Sequence, residues 1–430
     1  MKICYVVYRE ENVMVFDSQV LEYLQKIKDY PEVEEITLVL FRHEKNFFKK
    51  KEIENKALRF VDACVSFPSL PVLTMAQLNA NSAKLRKYVE QKYKSSDKVA
   101  VICRGDLAAY VGSRAFSEMK QCRVLYDNRG LAYEESVMSH GDKWVHKRNR
   151  EIKLQAMEYA KSHCDAYNFV TNNMRNYMQD KYKFNSNLPY TIIPTLYKVE
   201  TVDFNELQKV QQREMWKESD YIITYVGSTA AWQSTTQLVD IIDRLSSLSE
   251  NIRFMILTNG EIHEMDALKE KLKNRLIIKS VKHSEMKYYL SMSNIGIVIR
   301  DNNIVNRVAA PTKIAEYLTN GLKILYSGDI GIIEDLKSFL EKGTLIEYKN
   351  DGKWLYTIRD DIKHPRKNVA PKVVSYFDMH MRQRETLEML NTAFYKEREV
   401  TYHGKRFFWK SWRNTYKNCE GTERTCRGGL

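Results

Sequence analysis

Lys313 and Glu316 stand three residues apart inside Pro311-Thr312-Lys313-Ile314-Ala315-Glu316-Tyr317-Leu318-Thr319-Asn320-Gly321. Proline at the head and glycine at the foot mark the ends of a short helix over 312–320. At a spacing of three, a lysine and a glutamate share one helix face. The segment follows the apolar run Ile295–Ile299, which reads as a strand. A helix start after a strand presents free backbone N–H groups and the positive end of the helix dipole, an anion site to which Lys313 adds a cation. One face can thus hold a phosphate at its start and hydroxyl groups a turn later, which is what a sugar nucleotide requires.

Four further clusters carry chemistry. Gly227, Ser228 and Thr229 follow the apolar run 221–225 and offer close backbone approach and two hydroxyls. They form neither a GxGxxG nor a P-loop, so a dinucleotide or NTP site is disfavoured, and an ordinary turn is the other reading. Asp127 and Arg129, with Glu134 beyond them, follow a strand pattern at 124–126. Charges at a strand end are costly unless solvated or in use, so this is either a functional loop or a polar one closed by an Asp127–Arg129 ion pair. Arg300 and Arg307 frame the loop before Pro311. Guanidinium geometry suits a diphosphate; a solvated loop is the alternative. Asp17 and Ser18 follow the first strand, where an N-cap role is compatible with lining a cleft.

The elements that must position these residues alternate along the chain. Strand patterns fall at 3–7, 36–40, 99–102, 124–126, 167–170 and 191–193, then at 221–225, 253–257, 276–279, 295–299 and 323–326. Helical patterns lie between them at 18–28, 80–93, 107–119, 143–162 and 172–181, then at 236–245, 263–272, 285–292, 312–320 and 332–342. Alternation of this kind predicts parallel sheets with helices on both faces. A polar segment at 196–219 separates the halves, and a single long helix is expected from about 371 to 398. The predicted fold class is therefore α/β, two tandem Rossmann-like doubly wound domains with the active site in the interdomain cleft, where strand C-terminal ends place ligands. The boundaries are 1–195, 196–375 and a final helix and tail at 376–430 that returns to the first domain.

Bulk properties bound the function. With 430 residues, 43% hydrophobic and 29% charged, the chain is long enough for two cores. No apolar run reaches a membrane span. Seven scattered cysteines form no CxxC pair, which predicts reduced thiols and a cytoplasmic setting. The histidines show no HExxH or other tight ligand pattern, so no metal is expected, and no GxSxG elbow appears. The net charge of +13 favours an anionic partner. Residues 402–417 interleave basic and aromatic side chains without an acid. They suit an anionic membrane surface or a tail packed on the first domain; no RNA-binding motif supports nucleic acid.

Taken together, these blocks make the chain resemble the GT-B glycosyltransferases, in particular the bacterial family 4-like group that builds capsule, O-antigen or exopolysaccharide. Val15-Phe16-Asp17-Ser18-Gln19-Val20 resembles their opening loop and first helix. Tyr126-Asp127-Asn128-Arg129-Gly130 with Glu134-Glu135 resembles their D-x-R-G…E-E segment. Tyr225-Val226-Gly227-Ser228 with Trp232-Gln233 resembles their glycine turn, and the Pro311–Gly321 block their P-x-K-x-x-E-Y-x-x-x-G helix.

The resemblance implies a nucleotide-sugar donor held by Gly227, Ser228, Thr229, Arg300, Pro311, Thr312, Lys313 and Glu316. Catalysis falls to Glu316, Lys313 and Arg307, with Glu316 on the ribose hydroxyls. Asp17, Ser18, Asp127, Arg129 and Glu134 would face a lipid-linked or saccharide acceptor. Retention of anomeric configuration, no cofactor and a peripheral place on the inner membrane face are also implied. Two positions depart from the family pattern. The first glutamate of its E-x7-E pair falls at Val308, and 229–234 carries no cation where relatives have a basic pair. A non-catalytic pseudo-transferase subunit and a nucleotide-sugar epimerase are the alternative readings.

Overall fold

Apolar β-branched and aromatic runs form two wholly parallel sheets in the computed structural model, which describes residues 1–395 apart from 11, 44–49, 71–73, 140–142, 199, 228–234, 261 and 366–370. The first sheet contains β1 (Lys2–Tyr8), β2 (Glu35–His43), β3 (Ala63–Ser69), β4 (Val99–Arg104), β5 (Cys122–Asp127), β6 (Ala166–Phe169) and β7 (Tyr190–Ile192), in the order β3-β2-β1-β4-β5-β6-β7. The second contains β8 (Tyr221–Val226), β9 (Ile252–Leu257), β10 (Leu276–Lys279), β11 (Ile295–Ile299), β12 (Lys323–Ser327) and β13 (Leu345–Glu347), in the order β10-β9-β8-β11-β12-β13. Central strands such as β5 and β11 are buried along their whole length, as expected of parallel sheets covered by helices on both faces.

In each sheet the strand order reverses once, between β1 and β4 and between β8 and β11. Such reversals open a crevice beyond the strand C-terminal ends. Gly227 follows β8 and Arg300 follows β11, so the second crevice carries two of the sequence-selected residues.

Four expectations are corrected. The final helix is two helices, Pro371–Phe377 and Met379–Tyr395. The first buries Val373 and Phe377 in the core of the second domain, while the other buries Leu387, Leu390 and Ala393 in that of the first. The break at Asp378, whose carboxylate accepts from the Met381 N–H at 2.8 Å, lets the chain cross between domains. The polar segment 196–219 contains the Phe204–Arg213 helix, capped by Asp203. Asp17 is no N-cap: the helix begins at Val13 and passes through a π-helical turn, Asp17–Leu21, that contains Asp17 and Ser18. Edge strands β3 and β13 were not foreseen. Pro68 breaks the pattern of the former, tolerable only at an edge, and the latter is three residues long.

The domains meet along a polar and apolar seam. Val308 closes the short Ile304–Val308 helix of the second domain, yet it is 2% exposed and belongs to the apolar core of the first. The Thr171 hydroxyl donates to the Val308 carbonyl at 2.8 Å, and Asn173 Nδ2 donates to the Arg307 carbonyl at 3.2 Å. Asp335 accepts from the N–H and Nδ2 of Asn172, at 3.1 and 3.0 Å. The start of the Asn172–Tyr182 helix is thus satisfied from the other domain. Gly331 sits where an added Cβ would lie 2.6 Å from the Arg307 carbonyl oxygen.

Candidate active site

The Thr312–Thr319 helix begins one residue after Pro311, which takes the N-cap position. It ends at Asn320, and Gly321 follows with φ +78°, the left-handed turn that glycine adopts at least cost. The helix is fixed by Tyr317. Its ring lies over Gly296 of β11, where a Cβ would come within 2.2 Å of the ring. Its hydroxyl accepts from the Val226 N–H at 2.8 Å. One side chain therefore ties the helix to both strands of the crevice and sets the residue before Gly227.

The partly exposed face of this helix carries Lys313 and Glu316. Lys313 Nζ lies 5.1 Å from the centroid of the Tyr225 ring, a cation–π distance. Among the described residues, Lys313, Glu316 and Arg300 have no side-chain hydrogen bond or ion pair, and Arg300 Nε is buried without a partner. Burial, reinforced by the Arg300 charge and opposed by Glu316, lowers Lys313 to about 7. Burial also lowers Arg300, against the pull of Tyr225 and Asp301. The same desolvation raises Glu316, against His283 and Lys313. Lys313 and Arg300 thus act on each other electrostatically, with no carboxylate hydrogen-bonded to either.

Arg300 is held by the turn after β12. Gly328 has φ +78°, and a Cβ there would meet the Arg300 carbonyl oxygen at 2.1 Å. Tyr197, from the interdomain linker, is pushed up to about 12 by burial and by Glu316, and interacts with Asn320. Glu22, in the first domain, feels Lys198, Glu200, His283 and Asp17. His283 thus acts on carboxylates from both domains. Tyr197, Glu22 and His283 escaped the sequence reading; Tyr225 and Asn320 stood inside its quoted blocks without an assigned role.

The remaining selected residues have other commitments. Arg307 is exposed and pairs with Asp329 at 3.5 Å, and no interaction joins it to Lys313 or Glu316. Asp17 accepts both contacts of the Lys56 ammonium, at 2.6 and 2.7 Å. Asp127 accepts from Asn168 Nδ2 at 2.6 Å and lies 3.6 Å from Arg129, so the ion pair weighed from sequence is present. Arg129 also donates to the carbonyls of Ile193 and Pro194 at 3.2 and 3.3 Å, pinning the linker to the second domain. Glu134 is buried and accepts from Tyr177, Tyr182 and Lys181. Ser18 is half-buried in the π-helical turn. Ser228, Thr229 and the cation-free stretch 229–234 lie outside the described residues. Among the described residues no group of three His, Cys, Asp or Glu side chains is placed to hold a metal ion, and no helix is long and apolar enough to cross a membrane.

Two parallel-sheet α/β domains, of seven and six strands, match the GT-B fold. The chain is similar in structure to Anabaena Alr3699/HepE in complex with UDP, at TM-score 0.62 and 12% identity over 91% of this chain and 100% of that one. It is similar to a glycosyltransferase from Rickettsia africae ESF-5, at TM-score 0.62 and 13% identity, over 92% and 99%. A UDP-N-acetylglucosamine 2-epimerase aligns at TM-score 0.50 and 12% identity, over 95% and 99%. The sequence itself matches no family model and no curated protein.

Proposed function

We propose that the protein is a glycosyltransferase that moves a sugar from a nucleotide-sugar donor to a lipid-linked or saccharide acceptor, with retention, in bacterial surface-polysaccharide synthesis. The observation that carries this reading is the unpaired set Lys313, Arg300 and Glu316 around Tyr225, at the β8–β11 crevice. A diphosphate satisfies both cations and meets the first amides of the Thr312–Thr319 helix. Glu316, one turn on, accepts from ribose hydroxyls. As the sugar–phosphate bond breaks, charge grows on the departing diphosphate, and Lys313 and Arg300 stabilise it more than they stabilise the ground state. Arg300 takes the part that relatives assign to a basic pair after the glycine turn. The structures of similar fold that hold UDP support a uridine nucleotide as the first donor to try.

Calorimetry with UDP-, GDP-, ADP- and CMP-sugars tests the assignment, with Glu316→Ala and Arg300→Ala in parallel. Absence of binding across the panel, or binding that both substitutions leave intact, sinks it. The likeness to an epimerase favours one second reading. Proton NMR of the bound donor without acceptor separates the two, because an epimerase changes the sugar alone.

A further inference from the structure

Arg104 ends β4 at the point where the strand order of the first sheet reverses. Its register partners are Val7 of β1 and Asp127 of β5. Only 12% of its side chain is exposed. Burial works against the guanidinium charge, but Tyr5, Asp127 and Glu10 outweigh it and keep Arg104 a cation. Few of its donors are used. The Asp127 carboxylate lies 3.9 Å away, beyond hydrogen-bond distance. That carboxylate is already served by Asn168 Nδ2 at 2.6 Å and by Arg129 at 3.6 Å. Among the described residues only the Tyr5 hydroxyl approaches Arg104 as a hydrogen-bond partner. A guanidinium carries several N–H donors in a planar fork, and a buried charge with donors left over is costly.

The space beside Arg104 is open. Gly105 is half-buried with φ +80°, and a Cβ there would meet no atom of the described residues within 4 Å. It takes the N-cap position of the Asp106–Ala115 helix, where no side chain caps the first N–H groups. Asp106 turns its own carboxylate to the Tyr126 hydroxyl, at 2.5 Å. We infer that Arg104 and the start of this helix hold a phosphoryl group of the acceptor, as a phosphate ester or a diphosphate. The guanidinium fork matches phosphate oxygens, and the helix start adds amides and the positive end of its dipole. A phosphate has oxygens enough for the fork and the amides together. Calling the ligand an acceptor rests on the proposed function; the anion site itself rests on the geometry.

The test is calorimetry of the full chain with inorganic diphosphate in the presence of saturating UDP, which occupies the donor site. Binding at a second site is expected. Arg104→Gln and Arg104→Lys should each weaken it by about tenfold or more, with UDP binding unchanged. Lysine keeps a cation opposite Asp127 but loses the fork, so its thermal melt should match that of the unaltered chain. That variant gives the answer should the glutamine variant melt early. Farnesyl diphosphate and glucose 1-phosphate separate the two sources: tighter binding of the first assigns the group to a lipid-linked acceptor, and of the second to a phosphorylated saccharide. Absence of diphosphate binding beside UDP overturns the inference. So does binding that both variants leave undiminished, which would show that Arg104 serves Asp127 alone. Should UDP itself not bind, the donor assignment fails, and diphosphate binding that depends on Arg104 is still read separately.

Discussion

The Thr171 hydroxyl caps the Met174 N–H at 3.0 Å and also donates to the Val308 carbonyl at 2.8 Å, so one side chain begins a helix of the first domain and holds the second. By the sequence resemblance, Val308 stands where the family pattern has the first glutamate of its E-x7-E pair. In the structure its side chain enters the apolar core of the first domain. Val308→Glu would bury an unpaired carboxylate there, at a cost on the order of 3–5 kcal/mol. Urea unfolding should show the loss, and transfer activity should not rise. A variant that keeps its midpoint and gains activity would place residue 308 in the donor site.

Asp335 supplies the second half of the clasp through Asn172. Asp335→Ala removes an acceptor from a helix start, a loss of about 1–2 kcal/mol. Hydrogen exchange should accelerate at 172–174 and at 304–308 together, because both sides of the seam lose the same contact. Acceleration on one side alone would mean that the carboxylate supports only its own domain.

Tyr317 links the Thr312–Thr319 helix to the end of β8. Tyr317→Phe keeps the ring over Gly296 but leaves the Val226 N–H without its acceptor, a cost of about 1–2 kcal/mol. The ring and its packing survive, so the melting temperature should fall modestly while donor affinity drops further. Affinity that tracks stability alone would show that the hydroxyl does not position the turn.

Most of the fold was legible because buried parallel strands are continuous apolar runs; β10 and β11 occupy the same residues in sequence reading and structure. The edge strands were hidden by their shortness or by Pro68. The final helix misled for a tertiary reason: nothing local at Asp378 announces that the chain must change domains. Within the site, Lys313, Glu316 and Arg300 were readable from spacing around a strand and a helix start. Tyr197 and His283 were not, since they reach Glu316 from the linker and a different helix, and Glu22 reaches His283 and Tyr197 from the first domain. Arg129 and Glu134 illustrate the opposite limit. Their charges suggested chemistry, but carbonyls of the linker and three side chains of the Asn172–Tyr182 helix account for them.

If the proposed donor site is right, Lys313 should make donor binding sensitive to pH. In the free protein burial and Arg300 lower it from 10.5 to about 7. The unfolded chain therefore binds more protons between about pH 7 and 10.5. Stability of the free protein rises with pH across that window, and the full penalty of the buried ammonium applies below it. A diphosphate reverses the balance by favouring the charged lysine. A nucleotide sugar has no diphosphate group that titrates near neutrality, so the proton taken up is assigned to the protein. At pH 8, binding should draw in about 0.9 proton, and affinity should weaken by about tenfold per unit above pH 7 until the bound-state value is reached. Calorimetry in buffers of different ionisation enthalpy reads this uptake directly. Lys313→Met should abolish it and flatten the pH dependence while weakening binding at pH 6. Uptake that persists in the methionine variant would assign the proton to another group.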